Sequence, residues 1–197
     1  MASIEGTSGP DALVGAEQSD SIQGGDGNDT LRGGGGYDRL YGEAGDDQLH
    51  GGTRADFLYG GEGNDTLTGA YGGDALYPGP GGDRIDAGEG NDFVFLIGGE
   101  GPDTLIGGPG GEDFLTFDGS GLTVGQRIDL ASGNASDGSV WRSFERLSFR
   151  GGSGDDSARG GAGADYLHGE AGDDLLRGRS ASDNLVGGEG NDAIPRE

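Results

Sequence analysis

Large aliphatic residues recur every nine positions along the first half of the chain. They are Leu13, Ile22, Leu31, Leu40, Leu49, Leu58, Leu67, Leu76, Ile85 and Val94. Successive side chains of an extended segment point to opposite faces, so each aliphatic residue and its two neighbours predict a three-residue strand with one buried side chain. The six residues between these strands are rich in Gly, which reaches positive φ at low cost, and predict a turn.

An aspartate precedes each of these aliphatic residues by two positions. These aspartates are Asp11, Asp20, Asp29, Asp38, Asp47, Asp56, Asp65, Asp74, Asp83 and Asp92. A further unit at 98–106 carries Asp103, and five more units carry Asp156, Asp165, Asp174, Asp183 and Asp192. The chain therefore divides into an N-terminal repeat block at 6–106, an irregular segment at 107–150 and a C-terminal repeat block at 151–195.

A strand and a turn in each nonapeptide predict a flattened coil in which two units complete one turn of 18 residues. Successive turns would stack about 4.8 Å apart with parallel strands, and the aliphatic side chains would fill a thin core between two sheets. The expected fold is all-β, a parallel β-roll (β-solenoid) with one irregular insertion. Aspartates 18 residues apart would then form two columns, the first edge beginning at Asp11 and the second edge at Asp20.

The units follow the pattern G-G-x-G-x-D-x-U-x, where U is large and aliphatic. The best examples are GGDGNDTLR at 24–32 and GGEGNDTLT at 60–68. This pattern resembles the RTX (repeats-in-toxin) hemolysin-type nonapeptide repeats, which form calcium-binding parallel β-rolls. Ten units in unbroken register make a chance resemblance very improbable.

The resemblance implies calcium ions between successive turns, held by the 16 aspartates named above and by carbonyl groups of the glycine turns. The glycines expected to contribute are Gly25, Gly27, Gly34, Gly36, Gly61, Gly63, Gly88, Gly90, Gly152, Gly154, Gly161, Gly163, Gly188 and Gly190. A cage of six to eight oxygens suits Ca²⁺ better than Mg²⁺. Counting the gaps between stacked aspartates predicts about eleven calcium ions, whose charge would nearly balance the net charge of -24.

The two edges are not expected to bind equally well. Gln18 and Arg54 occupy turn positions on the second edge where the first edge keeps Gly. Side chains oppose the positive φ that such a turn needs. Tighter sites are therefore predicted on the first edge.

Composition makes the metal central to folding. Hydrophobic residues are only 30% of the chain, and Gly contributes 49 of 197 residues. Burying one aliphatic side chain contributes roughly 1.5–3 kcal/mol, whereas ordering nine residues costs about 1–2 kcal/mol each in backbone entropy. We therefore expect the chain to be unfolded without calcium. The absence of Cys excludes disulfides and thiolate metal sites.

Residues 107–150 break the repeat, and strands are expected near 114–117, 128–130 and 147–149. The stretches Thr123–Leu130 and Ser143–Leu147 resemble two strands that RTX proteins often carry before their repeats resume. We interpret the segment as longer rungs with bulged loops, and a separate binding subdomain is the alternative. Trp141, the single Trp, is expected to pack on the side of the coil, with a ligand platform as the alternative.

Aromatic residues at 18-residue spacing predict a contact surface on the outside of one sheet. They are Tyr41, Phe57, Tyr59, Tyr77, Phe93 and Phe95. We expect a second copy or a neighbouring domain to bind there, and an aromatic ladder without a partner is the alternative. The opposite face is polar over its first half, as expected for a solvated surface.

These features predict a calcium-binding module that folds on calcium binding after secretion and forms a structural or secretion-assisting part of a secreted bacterial protein. Type I secretion and an extracellular location are implied by the RTX resemblance. The alternatives are an adhesion or surface-layer module, or a non-catalytic domain of a larger secreted enzyme. No catalytic triad or isolated carboxylate pair stands out, so no enzyme activity is expected. The negative charge disfavours nucleic acid, and no transmembrane segment is expected.

Overall fold

A computed structural model describes residues 2–195 as a flattened coil of two facing β-sheets. The ten-stranded sheet contains, in spatial order, β1 (Ser3–Glu5), β3 (Ser21–Asp26), β5 (Arg39–Ala44), β7 (Phe57–Glu62), β9 (Ala75–Tyr77), β11 (Phe93–Ile97), β13 (Phe114–Asp118), β17 (Arg146–Arg150), β19 (Tyr166–Ala171) and β21 (Asn184–Glu189). The eleven-stranded sheet contains β2 (Ala12–Val14), β4 (Thr30–Gly35), β6 (Gln48–Thr53), β8 (Thr66–Tyr71), β10 (Arg84–Glu89), β12 (Thr104–Ile106), β16 (Val140–Arg142), β15 (Asn134–Ala135), β14 (Arg127–Asp129), β18 (Ser157–Arg159) and β20 (Leu175–Arg177).

Strands along the repeats alternate between the two sheets, and each pairs in parallel with the strand 18 residues away. Leu40 is in register with Leu58 in the ten-stranded sheet, and Leu49 is in register with Leu67 in the other. The predicted parallel β-roll with 18 residues per turn is therefore confirmed. The described residues form no helix, and thus none that is long and apolar enough to cross a membrane.

The aliphatic position of each repeat lies between the sheets. Leu40, Leu58 and Leu76 are fully buried, as are their counterparts Leu31 and Leu67 in the facing sheet. Each sheet contributes one layer of side chains to the core. The backbone N–H and C=O groups are mostly paired along the sheets. Such a thin core leaves the edges of the coil to supply the remaining stability.

The irregular segment joins both sheets. β13 and β17 continue the ten-stranded sheet in parallel, whereas β14, β15 and β16 enter the other sheet as an antiparallel meander in reversed order. Strands are present at all three expected places. Trp141 does not pack on the side of the coil as expected: it is 6% exposed and takes the aliphatic position next to Leu105 in the core.

The register changes at β17. On one side Leu147 lies opposite Leu115, so that Glu145 stands beside Asp113. On the other side Phe149 lies opposite Leu167, and the N–H of Leu147 donates to Oδ1 of Asp165. The column of acidic residues therefore steps by two positions along this strand. We call this step the β17 shift.

Candidate metal sites

The repeat aspartates form hydrogen-bonded ladders along both edges of the coil. The backbone N–H of Asp47 donates to Oδ1 of Asp65 at 2.8 Å, and the N–H of Asp65 donates to Oδ1 of Asp83 at 2.7 Å. The second edge repeats this contact, for example from Asp38 to Asp56 at 2.7 Å. Each interior carboxylate therefore uses one oxygen to join its turn to the preceding one.

The second oxygen of these carboxylates is buried without a hydrogen-bond donor. Unpartnered Oδ2 atoms belong to Asp29, Asp38, Asp47, Asp56, Asp65, Asp74, Asp83, Asp92 and Asp174. Their residues are at most 2% exposed. A buried carboxylate oxygen without a partner is costly, and buried charges are normally paired or bound to a metal. These atoms therefore fit a cation as their partner.

In the units that begin with Gly, a carbonyl oxygen of the next turn lies near Oδ2 of the unpartnered carboxylate. A Cβ added to Gly33 would lie 2.5 Å from both Oδ2 of Asp38 and the carbonyl oxygen of Gly51. A Cβ added to Gly51 would likewise meet Oδ2 of Asp56 at 2.7 Å and the carbonyl oxygen of Gly69 at 2.9 Å. This crowding explains the Gly at the first position of most units and places two oxygens around one point.

The donors available at these edges suit calcium. All are carboxylate or carbonyl oxygens, the ligands of a hard cation that takes six to eight oxygens. Within residues 2–195, no three His, Cys, Asp or Glu side chains come together as a metal cluster. A calcium site at these edges would therefore combine carboxylates from the aspartate ladder with backbone carbonyls of the glycine turns, and the ligand set that the RTX resemblance implies stays a prediction.

The backbone at the second position of each unit decides whether Oδ2 is free. In every unit with an unpartnered Oδ2, this position has positive φ, as at Gly25 (104°), Glu43 (78°) and Ala70 (84°). In units whose second residue does not have positive φ, the backbone N–H of that residue donates to Oδ2 of the aspartate. These contacts are Thr7 to Asp11 (2.6 Å), Ala16 to Asp20 (2.9 Å), Gly152 to Asp156 (3.0 Å) and Gly161 to Asp165 (2.9 Å). These four aspartates begin the ladders of the two blocks.

The glycines expected to contribute carbonyls separate in the same way. Positive φ is found at Gly25, Gly27, Gly34, Gly36, Gly61, Gly63, Gly88, Gly90, Gly188 and Gly190, but not at Gly152, Gly154, Gly161 or Gly163. The irregular segment contacts this second group, since the carbonyl oxygens of Leu122 and Glu145 lie against Gly152 and Gly161. The first turn of the C-terminal block thus has a backbone different from that of the interior turns.

Burial makes the ladder carboxylates easier to protonate. Burial, together with the charges of the neighbouring ladder carboxylates, raises the pKa of Asp56 and Asp65 to about 7. It raises the pKa to about 6 at Asp47, Asp74, Asp83, Asp92, Asp103, Asp113 and Asp165. Asp20 differs, because hydrogen bonds from the N–H groups of Ala2 and Ala16 lower its pKa. Ionised interior carboxylates therefore need a positive partner.

Both ladders continue beyond the unbroken repeats. The N–H of Asp83 donates to Oδ1 of Asp103 at 2.9 Å, and that of Asp92 to Oδ1 of Asp113 at 3.0 Å. Asp113 is buried but was not predicted as a site residue, because one extra residue displaces it from the nonapeptide register. The sequence feature that could have identified Asp113 is its place two residues before the buried Leu115. Ser139 and Glu145 then accept from the N–H groups of Asp103 and Asp113.

Side chains do occupy the positive-φ turns of the second edge. Arg54 adopts φ of 79°, and Ala181 in the C-terminal block adopts the same value, whereas Gln18 in the first turn does not have positive φ. Non-glycine residues reach this region at a cost of about 1–2 kcal/mol. The expected difference in calcium affinity between the edges stays a prediction, with this strain as its physical basis.

The family comparison agrees with this geometry. A model of the RTX calcium-binding nonapeptide repeat (4 copies) matches residues 5–40, 24–53, 41–76, 50–85, 69–96, 77–111, 95–116, 150–185 and 177–194, which is well over half of the chain. A comparison with curated proteins gave no match. Residues 117–149, which carry the antiparallel meander, lie outside the matched ranges. The chain belongs to the RTX calcium-binding nonapeptide repeat family and is a calcium-binding repeat module.

Proposed function

We propose that calcium binding drives the folding of this module. The observation that supports this proposal is the set of nine buried Oδ2 atoms without a hydrogen-bond donor. Without a cation, stacking the turns buries one ionised carboxylate oxygen after another at close range. The thin aliphatic core does not offset that cost together with the entropy of ordering the turns. Calcium binding free energy then acts as folding free energy.

We propose further that folding follows secretion. RTX repeats are typically found in secreted bacterial proteins, and the resemblance implies export of an unfolded chain through a type I channel. Calcium is scarce inside a cell and millimolar outside, where modules with weak sites become loaded. Folding outside would prevent return and make export one-way. The role is structural or secretion-assisting and not catalytic, whether in a free protein or in a larger secreted enzyme.

Circular dichroism at pH 8 tests the coupling between calcium and folding. We expect a coil spectrum in excess EDTA and a cooperative rise of β signal when calcium exceeds the chelator. Magnesium at the same concentration is the control and should leave the coil spectrum, because it gives up its water reluctantly. A β-rich spectrum in EDTA at this pH would contradict the proposal.

Adhesion or self-assembly is the second candidate, supported by the aromatic surface of the ten-stranded sheet. Tyr41 and Tyr59 stack with ring centroids 4.9 Å apart, and Tyr59 and Tyr77 with centroids 4.7 Å apart. Phe93 is 54% exposed beside them. The stacked faces are used within the chain, so a partner would meet ring edges, the tyrosine hydroxyls and the exposed phenylalanines. A second copy or a neighbouring domain with an apolar face is the proposed partner.

A further inference from the structure

Arginines collect on the outside of the eleven-stranded sheet, in the half that the irregular segment enters. They are Arg84, Arg127, Arg142, Arg159 and Arg177. Each directly precedes or follows a buried residue in its strand, so all five side chains point away from the core. These are five of the chain's 12 basic residues. We call this surface the arginine face.

Strand register arranges the arginine face in two columns. Arg159 and Arg177 are directly paired, and Arg142 lies at the corresponding end of β16. Arg84 and Arg127 occupy the other column, at the first residues of β10 and β14. The five residues lie on five strands within a run of seven neighbouring strands, which at about 4.8 Å per strand gives a surface roughly 30 Å long.

Few of these arginines are neutralised by the protein itself. Within residues 2–195, Arg159 forms the one ion pair of the group, with Asp129 at 3.7 Å. Arg84, Arg127, Arg142 and Arg177 are exposed. A chain with 36 acidic residues offers many carboxylates, yet on these seven strands the acids that are not buried are Asp86, Glu89 at the end of β10, and Asp129. The arginine face is thus a positive area on a strongly negative molecule.

A depression lies between the first two arginines along this surface. Arg84 and Arg142 line it together with Thr104, Ile106 and Val140, and its volume is about 260 Å³. A guanidinium group binds a carboxylate or sulfate through two parallel hydrogen bonds. The threonine hydroxyl beside it can bond sugar hydroxyls. The depression is large enough for one ring of a substituted sugar, and the columns continue beyond it.

We propose that the arginine face binds an anionic polysaccharide, a chain of sugars carrying carboxylate or sulfate groups. The length of the surface and its repeated cations fit a polymer better than a single small ligand. Single-stranded nucleic acid is less suitable, because Trp141, which also lines the depression, is only 6% exposed and offers no stacking platform. A second copy would have to place its acidic edge on this face, a head-to-tail contact that does not close on itself.

Binding should be measured on the calcium-loaded chain, after its β spectrum has been verified, so that a folding failure is distinguished from a binding failure. Affinity electrophoresis through gels containing polygalacturonate, dextran sulfate or neutral dextran separates the carboxylate, sulfate and uncharged sources. We expect retardation by one or both anionic polymers and none by neutral dextran. The double variant Arg84→Gln/Arg142→Gln should bind about tenfold more weakly or worse.

The matched control is Arg32→Gln/Arg39→Gln, which removes the same charge at two exposed residues away from the arginine face. It should bind like the unmodified chain. Equal weakening by both double variants would show unspecific attraction and overturn the proposal. So would a lack of binding to both anionic polymers, tighter binding to duplex DNA, or growth of fibres that the Arg84→Gln/Arg142→Gln variant cannot form.

Discussion

The backbone N–H of Asp47 donates a 2.8 Å hydrogen bond to Oδ1 of Asp65, one turn further along the coil, while Oδ2 of Asp65 is buried and accepts none. One carboxylate therefore has two separate tasks. Its first oxygen fixes the stacking of two turns, and its second is left for a cation. The repetition of this arrangement explains why a chain so poor in hydrophobic residues can form a regular coil.

Interior aspartates should matter more for calcium than those that begin a ladder. Asp65→Asn keeps an oxygen for the N–H of Asp47 but removes a charged ligand, a loss of about 1.5–3 kcal/mol. Because folding is proposed to be coupled to about eleven ions, this loss should raise the calcium midpoint of folding by a factor of about 1.3–1.6. Asp11→Asn should have a smaller effect, since Asp11 is half-buried and its Oδ2 already accepts from the N–H of Thr7.

Calcium titrations followed by circular dichroism compare these two variants directly. The matched substitution keeps side-chain size and hydrogen-bonding geometry nearly constant, so the difference reports the charge at each position. Equal midpoints for Asp65→Asn and Asp11→Asn would show that the unpartnered oxygens do not bind the metal.

Acid should partly replace calcium. Burial raises the pKa of Asp65 to about 7 in the folded, metal-free chain, above its ordinary value of 3.8. The folded form then holds more protons than the unfolded chain between these values, so the free energy of unfolding decreases as pH rises through this window. In calcium-free buffer we expect more β signal at pH 5 than at pH 8.

The same protons compete with calcium for the carboxylates. Each folded molecule should therefore bind fewer calcium ions at pH 5 than at pH 8. At low protein concentration, circular dichroism measures the β signal in calcium-free buffer, and equilibrium dialysis measures the number of calcium ions bound per molecule. A coil spectrum unchanged from pH 8 to pH 5 would contradict the prediction that burial of the carboxylates opposes folding.

Relief of backbone strain should stabilise the calcium-bound coil. Ala70 has φ of 84°, a conformation that Gly adopts at little cost. Ala70→Gly should therefore raise the free energy of unfolding by up to about 1 kcal/mol. Ala44→Gly is the matched control: it lies at the end of β5 without positive φ and should destabilise by roughly 0.5–1 kcal/mol. Urea unfolding in saturating calcium compares them, and destabilisation by Ala70→Gly would refute the assigned strain.

Removal of the tyrosine stack should separate folding from association. Replacing Tyr41, Tyr59 and Tyr77 with Thr keeps β-forming residues on the surface while it removes stacked pairs that contribute roughly 0.2–1 kcal/mol each. We expect calcium-driven folding to persist and self-association, measured by light scattering, to be lost. An unmodified chain that stays monomeric at high concentration in calcium would exclude the second copy as a partner.

The strict period made the coil predictable. Because an Asp and a buried aliphatic residue recur at nine-residue spacing, the register of Leu40 with Leu58 and the ladder from Asp47 to Asp65 follow from counting. The aromatic stack of Tyr41 with Tyr59 follows from the same counting. Repeats constrain structure strongly, since each unit meets the same neighbours as the one before.

The nine-residue period did not predict that the first turns of each block have a different backbone conformation from the interior turns. The φ at position two depends on contacts from the adjacent turn, so Glu43 and Ala70 take a glycine-like conformation while Gly152 does not. Asp113 escaped prediction for a related reason, since one inserted residue hides its place in the ladder. Trp141 entered the core because β16 pairs in parallel with β12, which puts Ser139 in the place of a ladder aspartate and Trp141 opposite Leu105; no nine-residue spacing in this segment indicates that register.

The β17 shift has a mechanical consequence. Asp113 ends one ladder at Glu145, and Asp165 begins another beside Leu147, so no repeat aspartate links the turns across this strand. Under tension applied to the two ends, the turns on either side are held by separate sets of bonds, and rupture on one side need not spread to the other. Each released turn of 18 residues adds roughly 60 Å of extended chain. Single-molecule pulling in calcium should therefore show two groups of force steps, and a single rupture of the whole coil would mean that the irregular segment transmits load as well as the repeats do.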